Sequence, residues 1–205
     1  MRKFAIAAAL TALAGVALAQ GSKVGVAPEL ADTALREAFR AAAPDWRQRV
    51  EQDETQRQCT QFRNAPPRDV AKAIAEREAA SIVYPADGNF VGDWKKGEAL
   101  AQDGYGLRFT DYPPARRTGG NCYACHELDK KELSYGTLGP SLAGYGRIRK
   151  FAPADAKAVY ERIYNPHAAF PCANMPRFGQ ARVLTIEQIT DLVALVMSPE
   201  SPVNK

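Results

Sequence analysis

Three residues in the middle of the chain have the types and the spacing that attach a haem covalently. Cys122, Cys125 and His126 form a C-x-x-C-H sequence, which is the attachment signature of c-type haem. Residues three and four apart lie on one face of a helix, so all three side chains can face one side of a flat ring. The motif therefore predicts one covalently bound haem c, with thioether bonds to the two cysteines and His126 as an iron ligand.

A C-x-x-C pair is also found as the redox pair of thioredoxin-like proteins, where it lies in a βαβ unit. The sequence around Cys122 has no alternating or continuous β-branched runs that would predict strands. Before the motif, Gly119 and Gly120 give the backbone freedom, and Asn121 offers a side-chain oxygen suited to a helix N-cap. We therefore expect the cysteines on a helix that Asn121 caps.

The second iron ligand is predicted to be Met175. This methionine lies in a loop at residues 165–179 that three prolines interrupt, and a thioether opposite an imidazole raises the haem potential, which suits an electron acceptor. His167, the only other histidine, is the rival, whereas Met197 lies late in an apolar helix. An iron with an open sixth position, as in a haem enzyme or sensor, is a further alternative.

The N-terminus predicts export. Arg2 and Lys3 precede an apolar run at residues 4–18 that ends in small residues, and we expect cleavage after Ala19. The run is shorter than the roughly 20 residues of a membrane span, so no membrane anchor is expected. A bacterial-type secretory signal delivers the chain to an oxidising compartment. The sequence therefore predicts a soluble periplasmic protein.

The charge of the chain is only mildly basic. Its formal net charge is +4, and removal of Arg2 and Lys3 with the signal lowers this to +2, so nucleic-acid binding has no support from composition. Several cations nevertheless lie close to the haem motif in sequence, and they form either a solvated face or a docking rim for an acidic redox partner. They are Arg116, Arg117, Lys130, Lys131, Arg147, Arg149 and Lys150, of which Arg147 and Arg149 are candidates for the haem propionates or the partner.

The apolar periodicity predicts an all-α protein with two parts after the signal peptide of residues 1–19. Residues 20–83 form a helical extension, and residues 84–205 form a monohaem domain that begins at a turn-rich linker. Few positions of the extension are apolar, so we expect it to lie against the haem domain rather than to form its own core. Its predicted helices cover residues 28–42, 44–61 and 67–82.

Three further helices are predicted in the haem domain. The first covers residues 93–103 with Trp94, Gly97, Leu100 and Ala101 on its buried side, and the second covers residues 154–164 with Val159, Tyr160 and Ile163 buried. The third is the terminal helix. Thr185 and Gln188 form its capping box, with Leu184 and Ile189 as a hydrophobic staple. We expect this helix to pack on the helix that contains Gly97.

This order of elements resembles class I cytochrome c over residues 84–205. More narrowly, residues 120–126, 138–142, 174–179 and 199–204 together resemble the SoxX subunits of SoxAX cytochromes. In cytochromes c, a loop proline carbonyl accepts a hydrogen bond from the iron-ligating histidine, which implies this role for Pro140 beside His126. The spacing alone leaves an ordinary turn as an equal alternative, although such a second hydrogen bond is usual for metal-bound histidines.

The resemblance implies the monohaem electron-transfer subunit of periplasmic thiosulfate oxidation. In that system a SoxA-like haem subunit is the partner, and thiosulfate is joined oxidatively to a cysteine of a SoxYZ-like carrier, an L-cysteine S-thiosulfotransferase reaction. Two electrons leave by way of haem to a downstream cytochrome c acceptor. This chain has no second C-x-x-C-H, so the catalytic nucleophile is expected on the partner. A diffusible periplasmic electron carrier is the near alternative.

Two cysteines remain once the haem has taken Cys122 and Cys125. An exported protein with an even number of remaining cysteines is expected to pair them in disulfides. This predicts a disulfide between Cys59 and Cys172. Two alternatives stay open from sequence: Cys172 could ligate the iron as a thiolate, or either cysteine could be a free thiol for copper, glutathione or a partner chain.

Overall fold

A computed structural model describes residues 27–42 and 50–205. The predicted signal peptide and the first part of the predicted helix at 44–61 lie outside the described residues. Within the described ranges the regular secondary structure is helical and contains no strand, which confirms the all-α class. None of the helices in these ranges is long and apolar enough to cross a membrane.

The chain divides into two compact units, residues 1–40 and 41–205. In the first unit, helix α1 covers Pro28–Ala38, begins with a proline at its first position and exposes most of its side chains. Over residues 50–205, the helices are α2 (Glu54–Gln61), α3 (Arg68–Ala80), α4 (Trp94–Gln102), α5 (Tyr145–Ile148), α6 (Pro153–Tyr164) and α7 (Ile186–Met197). Short 3-10 turns lie at Phe109–Asp111, Cys122–Ala124, Pro166–Ala168 and Pro202–Asn204.

Helix α2 begins at Glu54, ten residues after the start that the sequence predicts at position 44. Its start is set by Asp53, whose side chain accepts a hydrogen bond from the Gln56 backbone N–H, while the Gln56 side chain accepts one from the Asp53 N–H. This reciprocal capping box satisfies two backbone donors that an additional helical turn would otherwise use. The prediction of helix through residues 50–53 is therefore wrong, and the predicted end at Gln61 is confirmed.

Helices α2 and α3 of the extension pack against the rest of the second unit, as the low apolar content of the extension predicts. Ile74 of α3 is fully buried beside Cys59 and Cys172, and the Tyr160 hydroxyl of α6 donates to the Val83 carbonyl at 2.6 Å. These contacts join α2 and α3 to the haem-motif half of the chain, because neither helix has enough apolar surface to form a separate core.

Helices α4 and α7 cross closely at Gly97, as predicted. A Cβ atom at Gly97 would lie 2.1 Å from the Asp191 carbonyl oxygen, so only glycine permits this approach of the two backbones. Leu100 and Ala101 are buried in the crossing. Trp94, predicted on the buried side, is only half-buried because it is the first residue of α4.

Helix α7 forms the centre of the core. Thr185 and Gln188 form the predicted capping box, and Leu184 and Ile189 are both buried. The Gln188 side chain also donates to the Thr118 carbonyl at 2.7 Å. This hydrogen bond connects the start of α7 to the irregular segment that leads into the C-x-x-C-H motif.

Candidate haem-attachment site

The C-x-x-C-H residues form a single tight turn rather than the predicted helix. The backbone N–H groups of Cys125 and His126 both donate to the Cys122 carbonyl, at 3.1 and 2.9 Å. Asn121 has left-handed backbone angles, with φ of 48°, and its side chain caps nothing. The predicted Asn121 cap is therefore wrong, although Cys122 and His126 still lie one helical turn apart.

The loop that follows the motif explains why the turn does not continue as a helix. The Gly136 N–H donates to the Tyr123 carbonyl and the Gly139 N–H donates to the Cys125 carbonyl, both at 2.8 Å. These carbonyls would accept from later residues of a continuing helix, so the loop replaces the helix. A Cβ atom at Gly136 would lie 1.8 Å from the Ala124 carbonyl oxygen, so this close approach requires glycine.

The His126 ring is oriented by the same loop. Its Nδ1 lies 2.8 Å from the Pro140 carbonyl oxygen, which confirms the expected hydrogen bond. A carbonyl can only accept, so Nδ1 carries the proton and the Nε2 lone pair is directed away from this loop contact, in the tautomer that metal-bound histidines have. The face of the ring lies against Gly139, where a Cβ atom would come within 2.2 Å of Cε1.

Replacement of Gly139 by alanine is expected to displace His126. The added methyl group would lie inside contact distance of three ring atoms, so the ring must shift, which strains its hydrogen bond to Pro140. We expect the yield of low-spin haem per chain to fall by about tenfold or more, as for other residues that orient a metal ligand. Haem absorbance per polypeptide measures this yield, with Ser141→Ala in the same exposed loop as the control; a normal yield in Gly139→Ala would show that the ring tolerates displacement.

The two motif cysteines are free thiols in the structure. Cys122 packs against the main core, and burial raises the pKa of its thiol to about 12. The site therefore favours an uncharged sulfur at this position, and the sulfur of a thioether is uncharged.

The remaining cysteines, Cys59 and Cys172, form the predicted disulfide, with their Cα atoms 5.4 Å apart. Because both sulfurs are bonded to each other, neither the thiolate-ligand nor the free-thiol alternative applies to the structure. The bridge joins α2 to the segment that carries Met175.

Met175 and its rivals occupy different surroundings. Met175 is half-buried against the same core cluster that Cys122 contacts. His167 is 7% exposed, and its Nε2 donates to the Ala173 carbonyl at 3.0 Å, so this nitrogen already has a partner. Burial lowers the pKa of His167, and its Nδ1 has no hydrogen-bond partner among the described residues. Met197 is 4% exposed inside α7.

An ionic cluster that the sequence analysis did not find lies behind the Met175 segment. Arg177 contacts Asp53 at 2.6 Å and Glu78 at 3.2 Å, and the Asn165 side chain donates to Glu78 at 2.6 Å. Thr55 also donates its hydroxyl hydrogen to Glu78. In sequence these residues are ordinary polar positions of helices and loops, and no motif marks them.

The Glu78 carboxylate predicts a pH dependence of stability. Burial raises its pKa, but the hydrogen bonds from Asn165 and Thr55 and the Arg177 charge outweigh burial and leave the pKa below its ordinary value of 4.5. A group with a lowered folded-state pKa contributes stability that is present above its ordinary pKa and is lost as the pH falls through the folded-state pKa. We therefore expect the difference in free energy of unfolding between wild type and Glu78→Gln, measured by urea titration, to shrink below about pH 4.5; a constant difference would contradict this role of the carboxylate.

Three of the basic residues near the motif have side-chain partners within the chain. Arg147 donates to the Asn204 carbonyl at 3.3 Å, and Arg149 lies 3.9 Å from Asp155 while remaining about half exposed. Arg116 pairs with Asp103. Their contact with propionates or a partner protein stays a prediction.

The residues present fit a covalently attached haem. Cys122, Cys125 and His126 provide two free thiols and one correctly protonated imidazole within a single turn, and Gly139 and Pro140 hold that imidazole. Within residues 27–42 and 50–205, no group of three or more histidine, cysteine or acidic side chains could hold a bare metal ion.

Comparison with known proteins identifies a relative that aligns with most of this chain. No family model matches the chain. Over 158 residues the chain is 45% identical to an uncharacterized lipoprotein of Aquifex aeolicus (strain VF5), an alignment that covers 75% of this chain and 73% of that protein. Similarity of this extent over most of both chains indicates common ancestry.

Proposed function

We propose that this chain, which belongs to the same family as the uncharacterized lipoprotein of Aquifex aeolicus, is an exported monohaem c-type cytochrome and the electron-transfer subunit of a SoxAX-like complex. The observation that carries the proposal is the His126 site. Its Nδ1 is bonded to the Pro140 carbonyl, its ring lies against Gly139, and two free thiols precede it in the same turn.

Haem held by Cys122, Cys125 and His126 supplies one-electron oxidation and reduction. The chain's own residues adjust the reduction potential of the haem. Pro140 makes His126 a stronger ligand for the iron, and the proposed second ligand Met175 favours the reduced state relative to a nitrogen ligand. Cys122 is partly buried against the main core, which limits the contact of water with that side of the site.

The proposed reaction belongs to the complex rather than to this chain alone. A SoxA-like haem subunit would provide the catalytic cysteine, a SoxYZ-like carrier would provide the cysteine that accepts thiosulfate, and a downstream cytochrome c would take the electrons. This assignment rests on the resemblance of residues 120–126, 138–142, 174–179 and 199–204 to SoxX subunits. No residue of this chain is assigned a catalytic role.

Two observations support export to the periplasm. The relative is described as a lipoprotein, a class of exported proteins, and the chain contains a disulfide between Cys59 and Cys172, which is typical of oxidising compartments. The predicted cleavage after Ala19 is consistent with both.

Native purification tests the proposal. The chain carrying a C-terminal affinity tag is expressed in its own organism, isolated without denaturant, and analysed by gel filtration and by mass spectrometry of both subunits. We expect one covalent haem on this chain and co-elution with a SoxA-like haem protein. A monohaem protein that always elutes alone would favour the diffusible carrier instead, and a chain that carries no haem would refute the cytochrome assignment.

A second measurement tests the reaction. Addition of thiosulfate and a SoxYZ-like carrier to the isolated complex should reduce the haem of this chain, and a carrier whose cysteine is replaced by serine should not. Reduction that is independent of the carrier cysteine would contradict the thiosulfotransferase reaction while leaving the electron-transfer role intact.

A further inference from the structure

The segment that carries Met175 is not held against the extension by continuous packing. A cavity of about 340 Å³ lies between residues 172–177 and α2, and most of the side chains that line it are polar. Apolar contact across this gap is therefore small. A defined position of Met175 requires other links between the segment and the helices of the extension.

Such links lie on both sides of Met175 in the chain. On the N-terminal side, Cys172 is bonded to Cys59 of α2, and the Ala173 carbonyl accepts the hydrogen bond from His167. On the C-terminal side the link is Arg177, two residues after Met175. The segment is thus fixed at both ends, by covalent and hydrogen bonds before the ligand and by ion pairs after it.

The Arg177 link ends on a carboxylate that is itself rigidly held. The Arg177 and Glu78 side chains are 10% and 6% exposed and lie 3.2 Å apart. Glu78 lies on the buried face of helix α3, beside Ile74, and accepts hydrogen bonds from Asn165 and Thr55, which hold its carboxylate in place. The second partner of Arg177, Asp53, is more exposed and provides a weaker attachment.

We propose that Glu78 is a positioning residue for the distal iron ligand: through Arg177 it holds the backbone at Met175 where the thioether can ligate. This inference rests on the proposed His126 and Met175 ligation. It also assigns a role to the extension, which carries α2 and α3 as the rigid support of the ligand segment. Removal of one partner of a buried ion pair leaves the other charge less well compensated. Without the Glu78 charge, Arg177 is held only from its exposed side by Asp53, and the segment is fixed less firmly.

Competition with added imidazole measures how firmly the segment is held. A ferric haem with histidine and methionine ligands has a weak far-red absorption band at about 700 nm, which disappears when imidazole replaces the methionine. The apparent affinity for imidazole scales with the fraction of molecules in which Met175 has left the iron. In the haem-loaded full-length protein we expect Glu78→Gln to bind imidazole about tenfold or more tightly than wild type.

Matched variants separate positioning from general stability. Glu76→Gln lies on the same helix, and the exposed Glu76 carboxylate lies 3.7 Å from Lys72, away from Arg177, so the imidazole affinity of this variant should equal that of wild type. Glu78→Asp, which restores the charge, should recover part of the wild-type affinity. If Glu78→Gln does not fold, Asp53→Asn is used instead. This substitution removes the charge of the second carboxylate that pairs with Arg177 and should tighten imidazole binding by a smaller factor.

The outcomes distinguish the positioning role of Glu78 from the assignment of Met175 as the iron ligand. A wild-type far-red band together with equal imidazole affinity in wild type and in the Glu78→Gln or Asp53→Asn variant would overturn the positioning role and leave the cytochrome assignment unaffected. Absence of the far-red band in wild type would refute Met175 as the ligand, and with it the basis of the inference.

Discussion

Replacement of Met175 by alanine is expected to abolish the far-red absorption band of the ferric protein completely. The band requires a thioether opposite the histidine, and alanine provides no donor atom. The midpoint potential should fall as well, because loss of the thioether removes the preference for the reduced state. Absorption spectroscopy of the purified ferric protein and a redox titration measure the two effects.

The rival ligand provides the matched control for this experiment. His167→Gln should keep the band, because glutamine retains a side-chain N–H that can donate to the Ala173 carbonyl in place of Nε2, and Met175 is unchanged. Survival of the band in Met175→Ala would transfer the ligand assignment away from Met175, whereas its loss in a folded His167→Gln would show only that His167 helps to hold the segment.

Removal of the Cys59–Cys172 bridge is expected to lower the free energy of unfolding more than any other substitution proposed above. The two cysteines are 113 residues apart, and a cross-link that closes a loop of this length stabilises a folded chain by about 4–5 kcal/mol in the chain-entropy model. The figure is an upper one for the haem-loaded protein, since covalent haem already constrains the unfolded chain. Urea unfolding of the Cys59→Ser, Cys172→Ser double variant against wild type measures the difference.

The same bridge should also influence the ligand. Removal of the bridge in the Cys59→Ser, Cys172→Ser double variant is expected to weaken the far-red band of the ferric protein under conditions where the helices stay folded, because Cys172 lies three residues before Met175. Wild type in the same oxidised state serves as the control, since a reductant that cleaves the bridge would also reduce the haem and remove the ferric band. An unchanged band in the double variant would show that the bridge holds the extension without holding the ligand.

Local signals in the sequence predicted much of the helical framework. The bounds of α4 and α6 agree with prediction to within one residue at each end, and Thr185 and Gln188 cap α7 as expected. These predictions depend on apolar periodicity and on hydrogen bonds between residues three positions apart, which the sequence contains directly.

The wrong predictions have a common cause. Asn121 does not cap a helix, because the Tyr123 and Cys125 carbonyls bond to Gly136 and Gly139 instead. Helix α2 does not extend back through residues 50–53, because Asp53 caps it at Glu54. In both cases a hydrogen bond overrode the apolar periodicity. The Asp53 and Gln56 capping box is a local signal of the same kind that marks the start of α7, whereas the bonds to Gly136 and Gly139 depend on the path of the loop and follow from no local pattern.

The sequence by itself predicted the chemistry proposed for this protein, and the tertiary structure decided how the residues that would perform it are held. The types and spacing of Cys122, Cys125 and His126 define a haem-attachment motif in any fold, and the count of four cysteines made a single remaining pair. The contact of Gly139 with the His126 ring and the link from Glu78 to Arg177 exist only in the folded chain. Each joins residues from 13 to 99 positions apart, and such contacts follow from the packing of helices and loops rather than from any local pattern.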